Sequence, residues 1–293
     1  MHSNTSRHKN IDASDESPAN VDIDVASGFG DEWRRFSQSK LTEAERKRRY
    51  LEYFSIFPEN VLTPRAIGAD LGVGSGRWAV EVAPNVKQLY CLDPSAEALD
   101  VARENLEDFD NCVFVNAPIE SSGIAPNKLD FAYCLGVLHH VPDTEKALRA
   151  CVELLKPGAP LLVYIYYRFD NRPIWFRLIW RMSDLVRRVV SHLPYEGRYL
   201  ASQVIAGIIY WPLARLSKML EKLGLQVENA PLAYYRNTSF YSMRTDALDR
   251  FGTRLEKRFT RDEIAEMMKS AGLEGIRFSD EPPYWCAVGF KRD

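Results

Sequence analysis

Between residues 65 and 167 the chain alternates short apolar runs with stretches of helical periodicity, and few folds accommodate such a series. RAIGADL (65–71) reads as a buried strand, followed by a glycine-rich turn and a helix through residues 78–82. Residues 88–92 form a second expected strand, and Ser95 is placed to cap the helix AEALDVARENL. Strands at 112–115 and 129–135 follow, then a helix from Asp143 whose Ala147, Leu148, Cys151, Leu154 and Leu155 share one face. That helix stops at Lys156-Pro157-Gly158, and residues 161–167 make a fifth strand. Strands and helices at this spacing imply βαβ units and a parallel sheet.

The pattern divides the chain into five parts. Residues 1–24 are rich in Ser, Asn and Asp without apolar periodicity and read as a disordered tail. Residues 25–64 read as an N-terminal helical cap, containing Trp33, Phe36 and a helix opened by a Thr42/Glu45 capping box. Residues 65–167 are the Rossmann-like core, and 168–258 an insertion with helices expected at 173–191 and 199–223. Residues 259–293 return to the alternation with a Thr260/Glu263 capping box, a closing helix and the last two strands of the core. The expected class is therefore α/β, a doubly wound sheet, mostly parallel with an antiparallel last strand.

Composition removes several alternatives. With 38 Lys and Arg against 40 Asp and Glu, the balance gives no support to a nucleic-acid-coating protein. The five cysteines, Cys91, Cys112, Cys134, Cys151 and Cys286, form no C-x-x-C pair, and most lie in apolar runs where an inert buried thiol is expected. Neither histidines nor cysteines show metal-ligand spacing, so no metal is expected. The polar N-terminus has no apolar signal region and the apolar stretch 204–213 is too short for a membrane span, which fits a reducing cytoplasm.

The chemistry concentrates where the first of these strands ends. Asp70 runs directly into Gly72, Gly74 and Gly76 (DLGVGSG), a turn that brings backbone N–H groups close to a ligand. Asp93 closes the next strand in LDPS, placed to accept hydrogen bonds from both hydroxyls of a ribose. A dinucleotide site prefers G-x-G-x-x-G. Here the spacing is G-x-G-x-G, and the Asp70 carboxylate would repel a pyrophosphate but attract an α-amino group. A cofactor bearing an amino acid is favoured over NAD.

DLGVGSG, LDPS, DFAYCLGVLHHVPD and LLKPGAPLLVY, in that order, resemble the successive motifs of the class I S-adenosylmethionine-dependent methyltransferases. The resemblance is close over residues 65–167, and the C-terminal segment from TRDEIAEMMKSAG is similar to that family's closing helix and strands. It implies S-adenosyl-L-methionine as cofactor and S-adenosyl-L-homocysteine as product. It further implies that Asp70, Gly72, Gly74 and Gly76 surround the methionine portion, that Asp93 and Pro94 meet the ribose, and that Leu135 faces cofactor and acceptor. Where many relatives have an Asp for the adenine amino group, this chain has Ala117 followed by Pro118, with Asn116 or Glu120 as substitutes.

His139 is the candidate general base, with His140 assigned to the acceptor; the competing reading makes the LHHV pair structural. In the insertion, Tyr235, Arg236, Tyr241 and Arg244 are the candidate acceptor-binding residues, because guanidinium forks suit carboxylate or phosphate. The expected reaction is methylation of a hydroxyl on a small sugar-like or anionic metabolite. The alternatives are carbon methylation of a quinone or lipid precursor, and a scaffold that binds cofactor without turnover. The amphipathic helix at 173–191 is either a core or homodimer face or a membrane-surface element.

Overall fold

In a computed structural model of the chain, residues 9–12 and 20–293 are described, the first four as backbone only. The elements in chain order are β1 (Lys9–Asp12), α1 (Ile23–Arg35), α2 (Glu43–Phe54), β2 (Ile67–Leu71), α3 (Ala79–Val82), β3 (Gln88–Asp93), α4 (Ala96–Asn105), β4 (Cys112–Asn116), β5 (Phe131–Leu135), α5 (Thr144–Leu154) and β6 (Pro160–Tyr164). The insertion contributes α6 (Ile174–Val190), α7 (Tyr195–Ile205), α8 (Trp211–Lys222) and α9 (Phe240–Gly252). The chain closes with α10 (Arg261–Ser270), β7 (Leu273–Phe278) and β8 (Cys286–Lys291).

The strands form one sheet in the order β1-β4-β3-β2-β5-β6-β8-β7, parallel throughout except for β8, which runs antiparallel to β6 and β7. Side chains alternate across the pleat. Ala69 and Leu71 of β2, with Ala132 and Cys134 of β5, face a layer containing α5 and α10. Phe131, Tyr133 and Leu135 face the opposite layer, with Phe54 of α2, Trp78 at the start of α3 and Leu99 of α4. The strand order reverses between β3 and β5 on either side of β2, and a crevice opens at the carboxyl ends at such a switch point.

Local signals placed most boundaries. Ser95, Asp143 and Thr260 each cap the expected helix with a side-chain oxygen, and the Thr260/Glu263 box is complete. Only half of the Thr42 box forms: Thr42 accepts from the Glu45 amide, but Glu45 turns to accept hydrogen bonds from the Ser239 amide and the Ser242 hydroxyl.

Three expectations require correction. The reading of residues 1–24 as a structureless tail fails at Lys9–Asp12, which pairs with β4 along its open edge, and at Asp22, which caps α1; residues 1–8 and 13–19 lie outside the described residues. Edge pairing needs backbone groups rather than an apolar side-chain pattern, so composition does not reveal it. The helix expected over 199–223 is two helices joined by a π-turn at Ala206–Tyr210, because Pro212 in the first turn of α8 cannot donate to the preceding ladder. The fifth expected strand ends at Tyr164, and an isolated bridge pairs Tyr167 with Phe259, so the insertion leaves and rejoins the core at neighbouring points.

Close approach within the sheet makes one glycine irreplaceable. A Cβ at Gly68 would come within 2.0 Å of the Phe131 ring, which is fully buried. Gly68→Ala is expected to lower stability by about 1–3 kcal/mol in denaturant unfolding through overpacking; an unchanged midpoint would show that Phe131 can move.

Candidate functional site

The glycine turn after β2 is built from positive-φ residues, with φ of +90° at Gly72, +53° at Gly74 and +79° at Gly76. The Gly72 and Val73 amides both donate to the Leu92 carbonyl at 2.8 Å, joining the turn to the end of β3. Neighbours press closely on the turn: a Cβ at Gly74 would sit 2.9 Å from Nε1 of Trp33. Asp93 fixes the turn from the other side. Its Oδ2 accepts from the Gly74 amide and its Oδ1 from the Ser95 amide, each at 2.9 Å. Burial raises the Asp93 carboxyl to about 6, against the lowering effect of these two bonds.

Outside this turn lies a cavity of about 1140 Å³, walled by the strand ends, α1 and the insertion. Of the residues singled out from sequence, Gly72, Gly74, Asp93, Pro94, Leu135, His140, Tyr235 and Arg236 line it. Asp70, Gly76, Ala117, His139, Tyr241 and Arg244 do not. Gly76 faces α4 instead, where a Cβ would meet Leu106 at 3.2 Å, so its role is packing of helix on strand. Ala117 lies in the core, while its amide donates to the Asp93 carbonyl. Asn116 donates to the Asp93 and Pro94 carbonyls, and Glu120 accepts from Asn20. Asp70 sits behind the turn, 1% exposed, with the Tyr133 hydroxyl as the polar group beside its carboxyl. Burial raises its carboxyl to about 8.

The histidine pair is the reverse of the expectation. His139 is fully buried, stacked on Tyr166 with ring centroids 3.7 Å apart, and its Nδ1 accepts from the Tyr166 amide. Burial, then the neighbouring His140 and Arg258, hold its pKa well below the usual range. It is His140 that reaches the cavity, against Phe29 of α1. Its Nδ1 lies 2.7 Å from the Leu255 carbonyl, which can only accept, so Nδ1 carries the proton. Nε2 is then the basic nitrogen; it makes no hydrogen bond and lies 4.0 Å from Oδ1 of Asp249. Tyr166 donates to the other oxygen of Asp249 at 2.5 Å. The two imidazole rings lie against each other, centroids 4.0 Å apart, and the turn closed by the His140 amide on the Val137 carbonyl leaves His140 on the cavity side.

The arginines expected to grip an anion are already engaged. Arg244 binds Gln203 and the Tyr199 hydroxyl, and Tyr241 accepts from the Gln38 amide, so both residues tie α9 to its neighbours. Arg236 touches the cavity, yet its Nε donates to Glu221 at 2.8 Å. Arg49 pairs with Asp246, and Arg250 and Arg258 both pair with Glu256. Burial pushes the Glu256 carboxyl up, but Arg258 and Arg250 outweigh it and hold it below the usual range. The wall also carries many aromatic rings, among them Phe29, Tyr53, Tyr166, Trp180 and Tyr210, together with Arg77, and with Arg172, which donates to the Glu228 carbonyl and to Asn229.

Sequence reasoning missed Glu32, Arg77 and Asp249. Glu32 is buried at the wall with Oε1 unpartnered, its carboxyl raised well above the usual range by burial and then by Asp249 and Asp246. Arg77 lies over the Trp33 and Trp78 rings. Nothing in local sequence marks Glu32 or Asp249, because α1 and α9 meet the core only in three dimensions. Trp33 does line the cavity against the glycine turn, whereas Phe36 is buried against Tyr199 and Tyr241.

Comparison with known proteins places these features among relatives. Residues 69–163 match the family described as Methyltransferase domain. The ubiquinone biosynthesis O-methyltransferase of Serratia proteamaculans is 36% identical over 105 residues, 35% of this chain and 42% of that protein. The enzyme of the same name from Xanthomonas euvesicatoria is 29% identical over 184 residues, 60% of this chain and 71% of its own. The chain thus spans less than half the length of the Serratia relative. Among solved structures, a possible exported protein of Bordetella parapertussis superposes with a TM-score of 0.52 at 14% identity, covering 90% of this chain and 79% of that one. A chain from the Haloferax volcanii complex of the Trm112 methyltransferase activator with a methyltransferase gives 0.50 at 14% identity, covering 90% and 98%. At these identities the structural likeness shows the fold.

The burial of Asp70 has a measurable consequence. Its carboxyl titrates near 8 when folded and about 3.9 when unfolded. The folded state therefore holds the extra proton, and stability falls as pH rises through that window. Asp70→Asn removes the effect, so its melting temperature is expected to exceed that of the wild type increasingly from about pH 5 to about pH 9; a pH-independent gap would mean that the Asp70 carboxyl does not titrate in that window.

Proposed function

We propose that the chain, whose residues 69–163 match a methyltransferase domain, is a class I S-adenosylmethionine-dependent methyltransferase that methylates a hydroxyl on an aromatic, apolar small molecule. The residues fit the cofactor. The positive-φ glycine turn brings backbone to the cavity, Asp93 lines it with a carboxylate, and Asp70 is buried behind the turn beside Tyr133. Asp93 would hold the ribose, and a cationic amino group near the turn would lie within the electrostatic reach of Asp70. When bound, S-adenosylmethionine supplies a methyl group already activated by its sulfonium.

The observation that carries the acceptor reading is the free Nε2 of His140 at the cavity wall. An imidazole tied through Nδ1–H to a carbonyl presents Nε2 as a proton acceptor of fixed orientation. Oδ1 of Asp249 stands 4.0 Å from that nitrogen. Tyr166 in turn holds Asp249. A base that takes the hydroxyl proton leaves the oxygen beside it as the nucleophile, which supports oxygen as the acceptor atom. The aromatic wall and the pairing of Arg236 and Arg244 within the protein favour a ring-bearing acceptor over a sugar-like or anionic one. The names of the relatives, ubiquinone biosynthesis O-methyltransferases, agree with an acceptor of this chemical class. α1 closes one side of the cavity with Phe29, Glu32 and Trp33, which excludes water from the transfer.

Two substitutions separate cofactor binding from chemistry. Asp93→Ala is expected to weaken S-adenosylhomocysteine binding about tenfold to a hundredfold by calorimetry; unchanged affinity would remove Asp93 from the site. His140→Gln should leave that affinity intact and lower kcat toward catechol-like acceptors about 10²–10⁴-fold. Full turnover by His140→Gln would assign proton removal elsewhere, and absence of S-adenosylhomocysteine formation with every acceptor would favour a scaffold.

A further inference from the structure

The insertion carries an apolar surface that the described residues leave uncovered. On α6, Ile174, Trp175, Leu178, Met182, Leu185 and Val189 are between 47% and 68% exposed. The π-turn and α8 add Ile208, Trp211, Leu216 and Met219, between 45% and 68% exposed. Isolated surface apolar groups are ordinary, but a contiguous face of this kind marks an interaction site. Its charge is distinctive as well. Residues 174–225 contain eight Lys and Arg against three Asp and Glu, in a chain whose formal net charge is -2. Arg177 and Arg181 stand exposed beside the apolar stripe, and among the described residues neither meets a carboxylate.

We infer that this face docks on the surface of an anionic lipid bilayer. A helix with tryptophans and aliphatic residues on one side and arginines along its flank lies in the headgroup region, where rings and charges each find their medium. No helix among the described residues is long and apolar enough to cross a membrane, so the contact is with one leaflet only. A second copy of the chain fits less well, because a two-fold contact across α6 would set Arg177 and Arg181 against their own counterparts.

The face is also continuous with the cavity. Ile179, Met182 and Val186 of α6, with Ile209 and Leu213 across the opening, are exposed to solvent and line the cavity at once. The mouth therefore opens onto the docked surface, and an apolar acceptor enters from the bilayer; this entry route, unlike the docking itself, rests on the function proposed above.

Sedimentation of the full chain with vesicles tests the docking. Phosphatidylcholine vesicles containing phosphatidylglycerol are expected to retain the protein with a blue shift of tryptophan emission, and phosphatidylcholine alone to retain little. Arg177→Gln/Arg181→Gln should weaken partition about thirtyfold at low salt. Leu178→Glu/Leu185→Glu, whose residues lie outside the cavity, should abolish it. Both variants should bind S-adenosylhomocysteine as the wild type does, which verifies folding. Absence of wild-type partition would overturn the proposal, as would equal partition by the variants. A stable dimer that does not bind vesicles and dissociates in Leu178→Glu/Leu185→Glu would overturn it in favour of a second copy. Loss of S-adenosylhomocysteine binding by the wild type would strike the proposed function and leave the vesicle result standing.

Discussion

The Asp93 carboxylate holds the two loops of the cofactor side together. One oxygen accepts from the glycine turn that follows β2, the other from Ser95, two residues beyond β3, so this side chain reinforces the backbone bonds from Gly72 and Val73 to Leu92 that join the two strand ends. The cost of burying that charge is offset in part by hydrogen bonds from backbone that would otherwise stand unpaired at the strand termini. The same arrangement explains why the glycines are needed. Backbone can approach Asp93 and Trp33 this closely only at positive φ and without a Cβ at Gly74.

The acceptor side is organised differently, through ion pairs between distant segments. Glu256, at the end of the insertion, joins Arg250 of α9 and Arg258 beside the Tyr167–Phe259 bridge. Arg187 of α6 pairs with Asp184 and donates to the Thr253 and Arg254 carbonyls. Removing one member of such a set strands the others, so these side chains position the helices that wall the cavity. Their charges are satisfied internally, which leaves aromatic faces, His140, Glu32 and Arg77 on the cavity wall.

This contrast decides how much could be read from sequence. β2 through β6 and their helices are local features: apolar runs of strand length, Ser95 and Asp143 as caps, glycines at the turn. Each is written within a few residues, and so is the Asp93 position. Arg244 and Tyr241 could not be assigned in the same way, because their partners Gln203, Tyr199 and Gln38 lie far along the chain. An Arg- and Tyr-rich stretch looks alike whether it faces a ligand or a neighbouring helix. Glu32 and Asp249 carry no local mark, and β1 is held by backbone pairing to a sheet edge.

The histidines show where parity reasoning stops. Alternation establishes that only one of two adjacent side chains faces a given way, but the frame of reference ends with β5 at Leu135. Beyond it, Gly136 at φ +84° and the turn from Val137 to His140 rotate the chain out of strand geometry. His139 then stacks under Tyr166 and loses contact with the cavity, while the Leu255 carbonyl, contributed by the insertion, fixes the His140 ring. The core motif therefore supplies the imidazole, and the insertion supplies both its orientation through Leu255 and its charged neighbour Asp249. A base whose geometry depends on the insertion couples acceptor recognition to proton removal. A change of insertion would alter both together, although the cofactor side remained as it is.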